Sequence, residues 1–139
     1  MNIRLVSCTK RNLDHPCPAR DLYTASALFR KARAYCEHHY DAWYILSAKH
    51  GLVHPDQVVA PYDITLKRMS IVERCAWERR LSERLRRLGS GHIFYAHAGK
   101  DYIVHLSSIC LVNILEGHSL GNRLRWYNQQ AAREGWECP

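Results

Sequence analysis

The sequence has no apolar stretch able to span a bilayer. Its longest apolar runs, residues 43–46 and 109–115, fall well short of the ~20 residues that a spanning helix needs. It also lacks the apolar opening of a signal peptide, since residues 1–6 run straight into Ser7, Cys8, Thr9, Lys10 and Arg11. No CxxC pair occurs among the six cysteines, which argues against a zinc ribbon. The nine histidines, among them His38, His39, His54, His92 and His118, show no metal-ligand spacing. We therefore expect a cytoplasmic chain with reduced thiols, no metal, no cofactor and no membrane partner. Internal repeats and low-complexity linkers are missing too, so the 139 residues read as one domain, with a monomer favoured. Acidic side chains are scarce. Thirteen Asp and Glu stand against twenty Lys and Arg, a formal charge of +7. That balance suits an anionic partner, nucleic acid first, because phosphates reward clustered cations through counterion release.

What is present alternates between strand and helix patterns. Residues 2–7 form a short apolar, β-branched opening that reads as a buried strand. Pro16 and Pro18 exclude helix from the polar stretch that follows. Thr24 can cap a helix reaching about His39, with Leu28, Ala32, Tyr35 and Cys36 at helical spacing. Residues 41–47 read as a second strand. Residues 48–65, punctuated by Gly51, Pro55 and Pro61, read as loop. Ser70 and Glu73 match a capping box before a basic helix to about Leu88, whose inward stripe is Trp77, Leu81, Leu85 and Leu88. Residues 92–96 are a third strand, 99–108 a helix burying Tyr102, Ile103 and Leu106, and 110–115 a fourth strand. The last helix covers residues 120–133, with Leu124, Tyr127 and Ala131 inward and Gly135 as terminator. The expectation is an α/β layered sandwich, a mostly parallel sheet of about four strands flanked by helices.

In such sheets ligands bind beyond the carboxyl ends of the strands. Ser7, Cys8, Thr9, Lys10 and Arg11 follow the first strand and suit a phosphate or an anionic base edge, without the glycines of a P-loop. Cys8 invites a nucleophile reading, against the commoner one of a small buried residue. Lys49, His50 and Gly51 follow the second strand; His50 can shuttle a proton, and Gly51 permits a sharp turn or a close approach. Tyr62 and Asp63 then offer an aromatic face beside a carboxylate. Gly99, Lys100, Asp101 and Tyr102 follow the third strand, where Asp101 can simply complement a helix dipole. The topology brings these clusters to one rim. Eight basic and three acidic residues between Lys67 and Leu88 make the helix bearing Arg79, Arg80, Arg84 and Arg87 a candidate grip on phosphate backbone, with Arg11 and Arg123 as further cations.

Several of these motifs resemble a known family. Ile45-Leu46-Ser47, Gly51-Leu52-Val53, Pro55-Asp56 and Pro61-Tyr62-Asp63 look like the central motif of YaaA-type proteins. Ser7 with Lys10 resembles their early loop, and residues 99–102 resemble their later helix start. The opening, residues 5–29, looks closer still to a compact bacterial and phage relative, and a similar domain occurs in archaeosine synthase-like proteins. The wider group is similar in fold to uracil-DNA glycosylases. His50 and Asp63 depart from the YaaA pattern, and the glycosylase motif GQDPYH is missing. The resemblance implies a nucleobase pocket with a basic rim.

The expected function is therefore a nucleobase-processing enzyme, most concretely a DNA glycosylase acting on a modified or damaged base. Asp63, His50 and Lys10 are the candidate catalytic residues. Ser7, Cys8, Thr9, Lys49, Gly51, Tyr62, Lys100 and Tyr102 are candidates to bind the substrate. The alternatives are a DNA-binding module without catalysis and an enzyme for a free nucleoside or nucleotide.

Overall fold

The computed structural model describes residues 1–39, 42–107 and 109–139. Its first strand, β1 (Asn2–Ser7), is buried at Ile3, Arg4, Leu5 and Val6, so both of its faces are covered. A strand with that pattern belongs in the interior of a parallel sheet, with helices on either side. Beyond it, β2 (Cys17–Pro18) and a single helical turn, α1 (Ala19–Leu22), lead into α2 (Ala27–His38). Next come β3 (Ala42–Ser47), β4 (Gly51–Val53) and β5 (Val58–Val59). A 3₁₀ turn at Leu66–Arg68 precedes the long helix α3 (Ile71–Arg87). The chain ends with β6 (Ile93–His97), α4 (Lys100–Ile103), β7 (Leu111–Asn113) and α5 (Leu120–Glu134).

Five strands form the main sheet in the order β4-β3-β1-β6-β7. The β1–β3, β1–β6 and β6–β7 pairs are parallel, and β4 closes one edge antiparallel to β3. This is an α/β architecture with a mixed, mostly parallel sheet. One strand more than expected joins it, because β4 lies inside the segment read as loop. Its three residues are too few to show a period, yet Gly51, Leu52 and Val53 are all buried. Gly51 makes the turn into β4 with φ of +75°, the left-handed region that glycine enters without steric cost. The same segment supplies β5, which pairs antiparallel with β2 in a small second sheet.

Helix boundaries follow local capping chemistry. Ser26, rather than Thr24, caps α2, its side chain accepting from the Phe29 amide at 3.2 Å. The Thr24 hydroxyl donates instead to the Asp21 carbonyl. The Ser70–Glu73 capping box forms as its spacing predicts. The helix expected over 99–108 shrinks to the single turn α4; Leu106 is still buried beyond it, and Ser108 is outside the described residues. The strands expected at 41–47 and 110–115 are Ala42–Ser47 and Leu111–Asn113, and Asp41 is likewise outside the described residues.

The core joins both faces of the sheet. Helices α2 and α5 pack against each other, with α2 also on β1 and β3, while α3 lies against β4. Trp77 and Leu81 of α3 are fully buried, and the Trp77 indole N–H donates to the Ser47 carbonyl at 2.9 Å, which fixes the end of β3. Among the described residues no helix is long and apolar enough to cross a membrane. Among the described residues Cys8, Cys17, Cys75, Cys110 and Cys138 form no disulfide. Ile45 sits at the centre of this packing with no exposure, so Ile45→Ala removes about 2–5 kcal/mol of stability. Ile71, 81% exposed, is the control: Ile71→Ser stays within about 0.5 kcal/mol, both read from urea unfolding.

Candidate active site

The connection from β1 leads to β3 on one side, and the connection from β6 leads to β7 on the other. The crevice between the carboxyl ends of β1 and β6 is therefore the switch point of the sheet, where open α/β folds bind ligands. A cavity of about 280 Å³ opens there. Ser7, Cys8 and Thr9 leave β1 into its wall, and His97, Gly99, Asp101 and Tyr102 enter it from β6 and α4. Leu28, Phe29 and Ala32 of α2 with Leu115 and Leu120 give it apolar sides, and Arg123 and Tyr127 come from α5. Its size sits at the lower end of small-molecule sites, and apolar walls with a few converging polar groups are their usual composition.

A charge buried under this cavity sets the polarity of its floor. Arg4 is 8% exposed, and its guanidinium lies 4.9 Å from the ring centres of both Tyr35 and Tyr95. It donates to Nε2 of His97 at 3.2 Å. With Nε2 accepting, the histidine proton resides on Nδ1, which donates to the Tyr127 hydroxyl at 2.7 Å. Burial, reinforced by the Arg4 and His39 charges, holds His97 down at about 3. The imidazole is thus neutral and fixed in one tautomer. Burial likewise pushes the Tyr127 phenol up, keeping it protonated. Its own hydrogen finds no acceptor among the described residues, and the phenol is wholly buried beneath the cavity.

Two opposite charges flank the opening. The Arg123 guanidinium is braced by carbonyls, Nε donating to His118 and Nη1 to Ala98. No carboxylate neutralises it among the described residues. Asp101 is the carboxylate of the cavity, and its counter-ion is the exposed Lys67 at 3.6 Å. Cys8 completes the wall. Its sulfur lies 3.1 Å from the Tyr102 hydroxyl and accepts from the Ala48 amide at 3.4 Å. Burial, with Cys8 adjoining, pushes the Tyr102 phenol upward.

The structure gathers only part of the set nominated from sequence. Ser7, Cys8, Thr9, Tyr102 and Arg123 line the cavity. Tyr62 and His50 do not. The Tyr62 hydroxyl is 2.7 Å from Ser47 Oγ and 2.6 Å from the Tyr23 hydroxyl, and its amide donates to Asn12. Its ring meets Tyr23 and His50 edge-on. Burial pushes the Tyr62 phenol up and takes Tyr23 to about 12, with Cys8 contributing to both. Tyr62 thus ties the Pro61 loop to the end of β3 and to the loop that follows β1, and its ring is engaged in packing. The His50 amide donates to Ser47 Oγ, and burial with the Lys49, Arg84 and Arg80 charges lowers the imidazole.

Lys10, Lys49 and Asp63 are exposed and line no part of the cavity, and Gly51 is occupied by its turn. Lys100 borders a smaller neighbouring cavity. Arg79, Arg80 and Arg87 are exposed along α3, Arg87 lying 3.7 Å from Glu83. Arg84 donates to the Leu52 carbonyl and so braces β4, while Arg11 is exposed beside β1. The floor, Arg4 with His97 and Tyr127, was not nominated. Its one signal is an arginine in the middle of an otherwise apolar strand. Among the described residues no group of three or more His, Cys, Asp or Glu could hold a metal ion.

A model of a family of unknown function, DUF6884, matches residues 3–129. No curated protein and no solved structure matches the chain.

The neutral His97 makes folding pH-dependent. Unfolding frees the ring to bind a proton at any pH below its ordinary value near 6.5, whereas the folded protein resists this down to about 3. The unfolded chain holds the extra proton in that window, so stability falls as pH drops through it, by at most ~1.4 kcal/mol per unit. Urea midpoints at about pH 7 and about pH 5 will differ more for the wild type than for His97→Asn.

Proposed function

The chain belongs to the DUF6884 family, and for this member we propose hydrolysis of an N-glycosidic bond, with a modified or damaged nucleobase held in the cavity between β1 and β6. The observation that carries the reading is the composition of that cavity: apolar sides, one carboxylate, and one arginine without a carboxylate partner among the described residues, over a floor of neutral His97 and buried Tyr127. A flat heterocycle fits against Leu28, Phe29 and Leu115, and polar edges of the base can meet Ser7 and Thr9. The resemblance to YaaA-type and uracil-DNA-glycosylase-like proteins supports it independently, as does the excess of cations.

In this reading the reaction is a displacement at C1′. The bond from C1′ to the base nitrogen breaks, and its electron pair leaves with the base. Water adds its oxygen to C1′; one of its hydrogens stays on the new C1′ hydroxyl, and the other ends on the base nitrogen. In this reading Asp101, which lines the cavity, stabilises the cationic sugar and accepts that second proton in transit. Arg123 stabilises the negative charge that develops on the departing base. Asp101 thereby takes the part that the motif pattern assigned to Asp63, which faces solvent. The exposed arginines of α3 serve as the contact to the phosphate backbone.

The test is incubation with a panel of oligonucleotides carrying modified bases, single- and double-stranded, with mass spectrometry of what is released. Asp101→Asn lowers release by about 100-fold or more while DNA binding persists, and Asp63→Asn stays near the wild type. Binding of DNA with no base released from any oligonucleotide would instead favour a module without catalysis.

A further inference from the structure

Asp101 borders a second cavity as well as the first. This one, of about 170 Å³, lies between the 3₁₀ turn, α3 and α4 and is lined by Lys67, Arg74, Lys100 and His105. Three permanent cations face one carboxylate there. The one ion pair among the described residues that relieves them, Lys67 with Asp101 at 3.6 Å, involves a lysine side chain that is 78% exposed, and pairs of that kind are weak. The fourth group, His105, has its Nδ1 3.2 Å from Glu78 Oε2 but makes no hydrogen bond there.

Arg74 is held differently from the lysines. Its Nε donates to the Leu66 carbonyl at 2.9 Å and its Nη2 to the Lys67 carbonyl at 3.1 Å. Two neutral acceptors fix the guanidinium without cancelling its charge, and Nη1 has no protein partner among the described residues. An arginine held by two carbonyls, part-buried and without a carboxylate partner among the described residues, beside two exposed lysines is a receptor for a compact, multiply charged oxyanion.

We propose that this second cavity is a phosphate subsite, so that the substrate presents its base to the larger cavity and a phosphate of the same or the next nucleotide to Lys67, Arg74 and Lys100. The proposal rests on the nucleobase reading of the larger cavity and narrows its substrate class from nucleosides to nucleotide units, in a strand or free. The shared wall at Asp101 sets the two subsites side by side.

The first probe is inorganic phosphate, followed by amide chemical shifts of the full chain. Shifts are expected at Lys67, Arg74 and Lys100, and they disappear in the Lys67→Ala/Lys100→Ala double variant. Both lysines are exposed, so the urea midpoint of that variant verifies that the fold is kept. Oligonucleotide binding by the variant should weaken about tenfold or more, and its slope of log affinity against log salt should fall by about 1–2. Phosphate shifts located elsewhere, or retained in the variant, overturn the subsite even when base release is normal. Phosphate binding here without any base release sinks the hydrolase reading and leaves the subsite standing.

Discussion

The parallel pairing of β1 with both β3 and β6 is the constraint on which the rest of the molecule depends. A strand flanked on both sides in parallel cannot be reached by a hairpin, so every neighbour must arrive through a crossover. The crossovers depart in opposite directions from the centre of the sheet, and the two carboxyl ends at Ser7 and His97 are left facing an unfilled crevice. The helices complete it. The N-terminal halves of α2 and α5 come to the same rim and supply the apolar sides and the arginine. The cavity is a consequence of strand order before it is a matter of particular side chains.

The elements with a long hydrophobic period were readable from the sequence. Helix α3 announces itself through its capping box and its Trp77, Leu81 and Leu85 stripe, and β1 and β3 through dense apolar runs. The two-residue strands β2 and β5 and the three-residue β4 carry too little pattern to be seen, because their pairing is decided by partners far along the chain. For the site, local chemistry revealed which residues follow each strand but not which way they face. Ser7, Cys8, Thr9 and Tyr102 enter the cavity, whereas Tyr62 is drawn into hydrogen bonds with Ser47 and Tyr23, and Asp63 beside it stays in solvent. Such choices depend on three-dimensional contacts that no linear spacing encodes.

Electrostatics divides the molecule into two regimes. On the outer face of α3, Arg79, Arg80 and Arg87 are hydrated and screened, so their action on an anionic partner is long-ranged and sensitive to salt. Beneath the cavity, burial itself keeps His97 neutral, and the adjoining Arg4 guanidinium reinforces that state. The neutral, single-tautomer His97 is the product, and through it the orientation of the Tyr127 hydroxyl is settled before any ligand arrives. Organisation of that kind lowers the entropy lost when a ligand binds.

The position of Asp101 on the boundary between two cavities has a thermodynamic consequence. Whatever occupies one chamber acts on a carboxylate that the occupant of the other also meets. Linkage then requires reciprocity: if filling the first chamber multiplies affinity in the second by some factor, filling the second multiplies affinity in the first by that same factor. Cooperativity between the chambers would need no moving part, only the one shared side chain.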